Sequence, residues 1–102
     1  MKTINYELYQ IANIEKCSYA FRSYHIARDQ HFSLKDYNKV YSGSIYKSSS
    51  ETITDHLERL FTIFNLQHPI DFRGHSLSVS DVVKIDGRHF YCDSFGWKEI
   101  LN

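Results

Sequence analysis

This chain of 102 residues has one proline, four glycines and two cysteines. No apolar run approaches the ~18 residues of a membrane span, which argues against an integral membrane protein. Pro and Gly are too sparse for a linker, and the length suits one domain, expected over 1–102. Cys17 and Cys92 lack the CxxC spacing of redox and zinc motifs. Two reduced thiols are expected, with a disulfide between them as the alternative. Met1–Glu7 has no apolar stretch of the secretory kind, so a cytoplasmic protein is expected. Neither charge is in excess: 12 Lys and Arg stand against 12 Asp and Glu. That argues against binding phosphates through bulk charge.

Aromatic residues and histidine are what the chain has in plenty. Eight Tyr, seven Phe and one Trp make up 16% of it, and there are six His. Charge is unevenly placed, with seven Lys and Arg against four Asp and Glu in residues 1–50, and five against eight in 51–102. A weak dipole with a basic N-terminal pole follows.

Alternation over 4–10 and again over 38–46 predicts two strands, the second turning Tyr41, Gly43 and Ile45 to one face. Residues 19–28 fit either period. A short strand running into a helical turn near 23–29 is expected, followed by a turn capped by Ser33. Ile53, Leu57, Leu60, Phe61 and Phe64 form an apolar stripe at helical spacing over 51–65. Ser49 or Ser50 is the expected cap, and Pro69 limits the helix to Asn65 or Leu66. Val82–Ile85, Asp86-Gly87 and Arg88–Cys92 read as a hairpin with a type I′ turn, pairing Ile85 with Arg88 and Val82 with Tyr91. Val83, Ile85, Phe90 and Cys92 then share a face that must pack on the helix stripe. The predicted class is α+β: a small antiparallel sheet with one main amphipathic helix on one face.

The histidines invite a metal site built on His68, Asp71 and His75, but no pair has the usual ligand spacing. Caps and surface groups are the simpler assignment, with no metal and no cofactor. Ser78 or Ser80 with His75 and Asp81 lacks the glycine elbow of a nucleophile, and Asp93 disfavours a Cys92 thiolate. No catalytic residues are expected; a small hydrolase or nuclease ranks third among the functions. Basic and aromatic residues interleave from Tyr19 to Tyr41, as in surfaces that stack bases or anchor protein interfaces. The expected partner-binding residues are Arg22, Tyr24, His25 and Arg28, then Lys84 and His89 on the hairpin. In the opposing assignment Tyr24 is core and the arginines are merely solvated.

Residues 73–97 carry Gly74-His-Ser-Leu-Ser-Val-Ser-Asp81, the hairpin, Tyr91, Asp93-Ser-Phe-Gly96 and Trp97. With Tyr37, Val40-Tyr-Ser-Gly43 and His68-Pro69 upstream, this resembles the YodL-like domain family. The resemblance implies a setting in bacterial conjugative elements, plasmids and phages, and no catalytic residues. The chain also looks like a type II anti-CRISPR protein. That implies a non-enzymatic inhibitor of a type II CRISPR effector nuclease or of its guide-RNA loading, acting in the bacterial cytoplasm without a membrane. The alternative is a nucleic-acid-binding accessory module of a conjugative element. On physical grounds the block serves first as a folding signature. Ser78, Ser80 and Asp81 bond backbone before the hairpin, Gly96 completes a turn, and Phe95 and Trp97 close one end of the core.

Overall fold

A computed structural model describes residues 2–101. Five strands, β1 (Lys2–Ile11), β2 (Tyr37–Lys47), β3 (Val82–Ile85), β4 (Arg88–Cys92) and β5 (Trp97–Ile100), form one antiparallel sheet in the order β2-β1-β3-β4-β5. The two α-helices are α1 (Tyr24–Asp29) and α2 (Ile53–Leu66), with short 3-10 turns at Ile14–Lys16 and Leu34–Asp36. The fold is α+β, as the sequence predicts.

The β3–β4 hairpin has the expected register, Ile85 opposite Arg88 and Val82 opposite Tyr91. Its turn places Asp86 at φ 55° and Gly87 at φ 71°, the two left-handed positions a type I′ turn demands. The β1–β2 ladder slips once, because Leu8 faces Tyr41 while Tyr9 faces Lys39. Val40 is the extra residue of this bulge, so Tyr41 and Ile45 can join the core while Tyr37 packs on the opposite face.

Helix α2 covers the first face. Leu57, Leu60 and Phe64 are buried against Tyr6, Leu8, Val83, Ile85 and Phe90. Two details depart from the expected stripe. Phe61 is 37% exposed, whereas His56 is buried, so the seam is rotated by part of a turn toward His56 and Ile63. The cap is Thr52, not Ser49 or Ser50: Thr52 Oγ1 accepts from Asp55 N (3.2 Å) and Asp55 Oδ2 accepts from Thr52 N (2.9 Å). This capping box satisfies two donors at the helix start, more than a lone serine could.

The second face is half covered by a layer the sequence did not announce. Residues 19–22 form a turn where a short strand was expected, and α1 follows. Ala27 of α1 packs with Ile11, Tyr19, Tyr37, Val82, Tyr91 and Ile100. Phe32 sits among Tyr19, Tyr24, Tyr37 and Tyr91 at centroid distances of 5.7–5.8 Å. Here the aromatic excess is spent. At the β4–β5 turn Gly96 takes φ 72°, but Phe95 at its tip is 96% exposed; Trp97 alone packs on the core there. Cys17 and Cys92 are both free. Among the described residues no helix is long and apolar enough to cross a membrane.

Candidate functional site

The expected partner-binding residues all come to the second side of the sheet, in two groups. The first rides on α1, whose backbone is pinned from beneath. The Tyr91 hydroxyl donates to the Arg22 carbonyl (2.6 Å), Asp93 Oδ1 accepts from Tyr24 N (3.1 Å), and Ser80 Oγ accepts from Phe21 N (2.9 Å). Arg22, His25 and Arg28 point to solvent from this fixed frame. Arg28 Nη2 lies 3.4 Å from His25 Nδ1, and His25 Nε2 lies 3.9 Å from Asp29 Oδ2. Neither Arg22 nor Arg28 has a carboxylate partner among the described residues. Tyr24 is half buried, edge-on to Tyr91 (5.1 Å) and Phe32 (5.8 Å), so most of its ring is packing.

Lys84 and His89 form the second group, opposite each other on the uncovered half of this face. Both are half buried rather than fully exposed. His89 stacks obliquely on Tyr9 (6.4 Å), and Lys84 lies across from Glu7. Partial burial and the neighbouring Lys84 hold the His89 imidazole below its ordinary pKa.

A buried polar cluster underlies the first group. Asp81 is 1% exposed. Its Oδ2 accepts from Ser78 N (2.9 Å) and Gln10 Nε2 (3.1 Å), but Oδ1 has no hydrogen-bond partner and lies 3.8 Å from His75 Nε2. Burial pushes the Asp81 carboxyl up to about 7, against the Ser78 and Gln10 hydrogen bonds and the nearby His75, which pull it down. Gln10 also accepts from His75 N (3.2 Å) and donates to His75 O (2.8 Å), binding β1 to the 74–81 loop. His75 Nδ1 faces the Ser76 carbonyl (2.7 Å) and the Ser78 hydroxyl donates to that same carbonyl (2.9 Å). The imagined Ser-His-Asp relay is therefore not assembled, since neither imidazole nitrogen meets a serine hydroxyl. Burial, with Asp81, Glu58 and Asp93 nearby, pushes the Cys92 thiol up to about 12, which keeps it protonated at neutral pH. No group of three or more His, Cys, Asp or Glu among the described residues is arranged to hold a metal ion.

The model of the YodL-like domain matches residues 5–102. The chain belongs to the YodL-like domain family. No curated protein and no solved structure matches it.

In this YodL-like domain the Gly74–Asp81 block is the strap that carries the buried cluster. A Cβ on Gly74 would lie 2.4 Å from Gln10 Oε1 and 2.8 Å from the Phe72 ring, so only glycine fits beneath the Gln10 bridge. Ser80 sits at φ 84° and its carbonyl accepts from the Tyr37 hydroxyl (2.5 Å). Ser80 and Asp81 thus satisfy backbone donors as expected, whereas the Ser78 hydroxyl donates to a carbonyl. Sequence reasoning missed the Gln10 bridge, because a glutamine at the end of a strand carries no periodic signal. It counted His31 and Lys35 in the interleaved stretch from Tyr19 to Tyr41 but not among the expected partner-binding residues, although both line the groove at the end of α1.

Proposed function

We propose that this YodL-like domain is a non-enzymatic interaction protein of a bacterial mobile genetic element, carried by phage or plasmid. The observation behind this reading is the α1 surface, where unpaired arginines stand on a backbone clamped to the core by Tyr91, Ser80 and Asp93. Pre-organised Arg contacts lose little entropy on binding, which is why such residues dominate interface hot spots. The partner proposed is a type II CRISPR effector nuclease or its guide-RNA complex in the bacterial cytoplasm, on the strength of the sequence resemblance. Zero net charge favours docking at a particular patch, or interference with guide loading, over mimicry of DNA.

The test is Arg22→Ala/Arg28→Ala. Both side chains are exposed, so the melt should hold, while inhibition of guided DNA cleavage should need roughly tenfold more protein or disappear. Full inhibition by this variant moves the interface to the Lys84 and His89 face. Absence of inhibition by the unsubstituted protein rejects the partner.

A further inference from the structure

Helix α1 ends in a way that costs energy. The Phe32 amide reaches back to the Ala27 carbonyl (2.9 Å), which forces the residue between helix and return into the left-handed region. That residue is His31, at φ 59°. Glycine takes this position without strain, whereas a side chain there is strained. The left-handed turn at His31 carries its imidazole out past the end of the helix.

His31 opens onto a groove of about 480 Å³. The cationic or potentially cationic groups along it are Arg28, His31 and Lys35, and no carboxylate side chain lines it. None of the three has an ion-pair partner among the described residues. Ion pairs do form elsewhere on the surface, Arg59 with Glu51, Arg88 with Glu99 and Lys39 with Glu7, although Arg22 and Lys84 are also without one among the described residues. The rest of its lining is mostly apolar, with Tyr24, Phe32, Leu34 and Ile100 among its members. The Ser33 hydroxyl oxygen already accepts from Lys35 N (3.2 Å), leaving its proton free to donate. A groove lined by both cationic and aromatic side chains offers the two contacts a nucleotide needs: charges for phosphate and apolar surface for the base. The volume suits one such unit.

We propose that this groove binds a nucleotide phosphate, taken from single-stranded RNA. The groove shares Arg28 with the surface proposed above to meet a protein, so its test uses other residues.

The experiment is fluorescence anisotropy with a labelled oligouridylate, at low and at physiological salt. The unsubstituted protein should bind, more weakly as salt rises. Lys35→Ala should weaken binding roughly tenfold, the usual worth of one charge-assisted contact, and make the salt slope shallower by about 0.7. His31→Gly should also weaken binding while the melting temperature holds or rises, because glycine relieves the left-handed strain. That second variant separates a ligand role from a folding role. Competition by adenosine monophosphate as strong as by unlabelled oligomer makes the source a free nucleotide; competition by the oligomer alone makes it the strand. The proposal is overturned if the unsubstituted protein shows no salt-dependent binding, or if both variants bind as it does. It is equally overturned if inorganic phosphate or an oligoglutamate peptide competes as well as the nucleotides.

Discussion

Asp81 sits where a charge is expensive. One oxygen has two donors and the other has none, with only the His75 Nε2 face nearby. Its carboxyl, ordinarily near about 3.9 in an unfolded chain, is pushed up to about 7 by burial. A raised folded-state value means the native protein holds the proton more tightly than the unfolded chain does. This group's contribution to stability is therefore greatest at the acid end, falls as pH rises from about 4, and is fully lost above about 7. Asp81→Asn keeps the acceptor for Ser78 and Gln10 and offers an amide donor toward His75 Nε2. Urea midpoints measured from pH 5 to 8 should fall with pH for the native sequence and fall less for the variant, which should be the more stable at pH 8. Parallel curves would show that Asp81 is not the titrating group. Gly74→Ala tests the same strap sterically. Its Cβ collides with Gln10 and Phe72, and a loss of roughly 1–3 kcal/mol is expected in the same titration.

Helix α2 shows how far periodicity carries. Ile53, Leu57, Leu60 and Phe64 announced a helix and its buried face correctly, but Phe61 was included because it is apolar and His56 excluded because it is polar. The geometry reverses both. His56 lies on the seam, with Arg59 Nη2 3.4 Å from its Nδ1, and Phe61 lies at the margin. Pattern reading assigns a residue by its chemistry, whereas burial follows angle around the axis. Leu60→Ala should cost roughly 2–5 kcal/mol in chemical denaturation. Phe61→Ala should cost clearly less, since its ring is already in partial contact with water. Arg59 is outward too, but it pairs with Glu51 and donates to the Tyr46 carbonyl (3.0 Å), so Arg59→Ala should cost about 1 kcal/mol rather than nothing. A Phe61→Ala loss equal to that of Leu60→Ala would place the seam where the sequence put it.

The sheet as a whole was legible from alternation in β1 and β2 and from Asp86-Gly87, but β5 was not. Trp97–Ile100 is four residues long, too short to show a period, and it becomes a strand by pairing with β4. The second layer was hidden for a related reason. Residues 19–28 satisfy both periods, and what decides between them is contact with Val82, Tyr91 and Ile100, far along the chain. The groove at the end of α1 shares that origin, since it exists only where residues 24–35 meet the end of β5. Exposed Arg22 and Arg28 could be read in advance; the arrangement that leaves Arg28 beside His31 and Lys35 could not.

Two cores on one sheet raise the question of whether they unfold together. Strands β3 and β4 supply alternate residues to each: Val83, Ile85 and Phe90 to the core under α2, Val82 and Tyr91 to the core under α1. Neither layer can leave without exposing the back of a strand that the other needs. The Tyr91 and Asp93 bonds to Arg22 and Tyr24 extend that coupling into α1. A single cooperative transition is expected, as for most domains of this size. Trp97 fluorescence reports the first core, and the Ala27 methyl signal in NMR reports the second. Both should be lost at the same urea concentration with the same slope. If the Ala27 signal disappeared first while Trp97 stayed native, α1 would be a separately melting flap, and the rigid frame assigned to Arg22 and Arg28 would be gone before the sheet is.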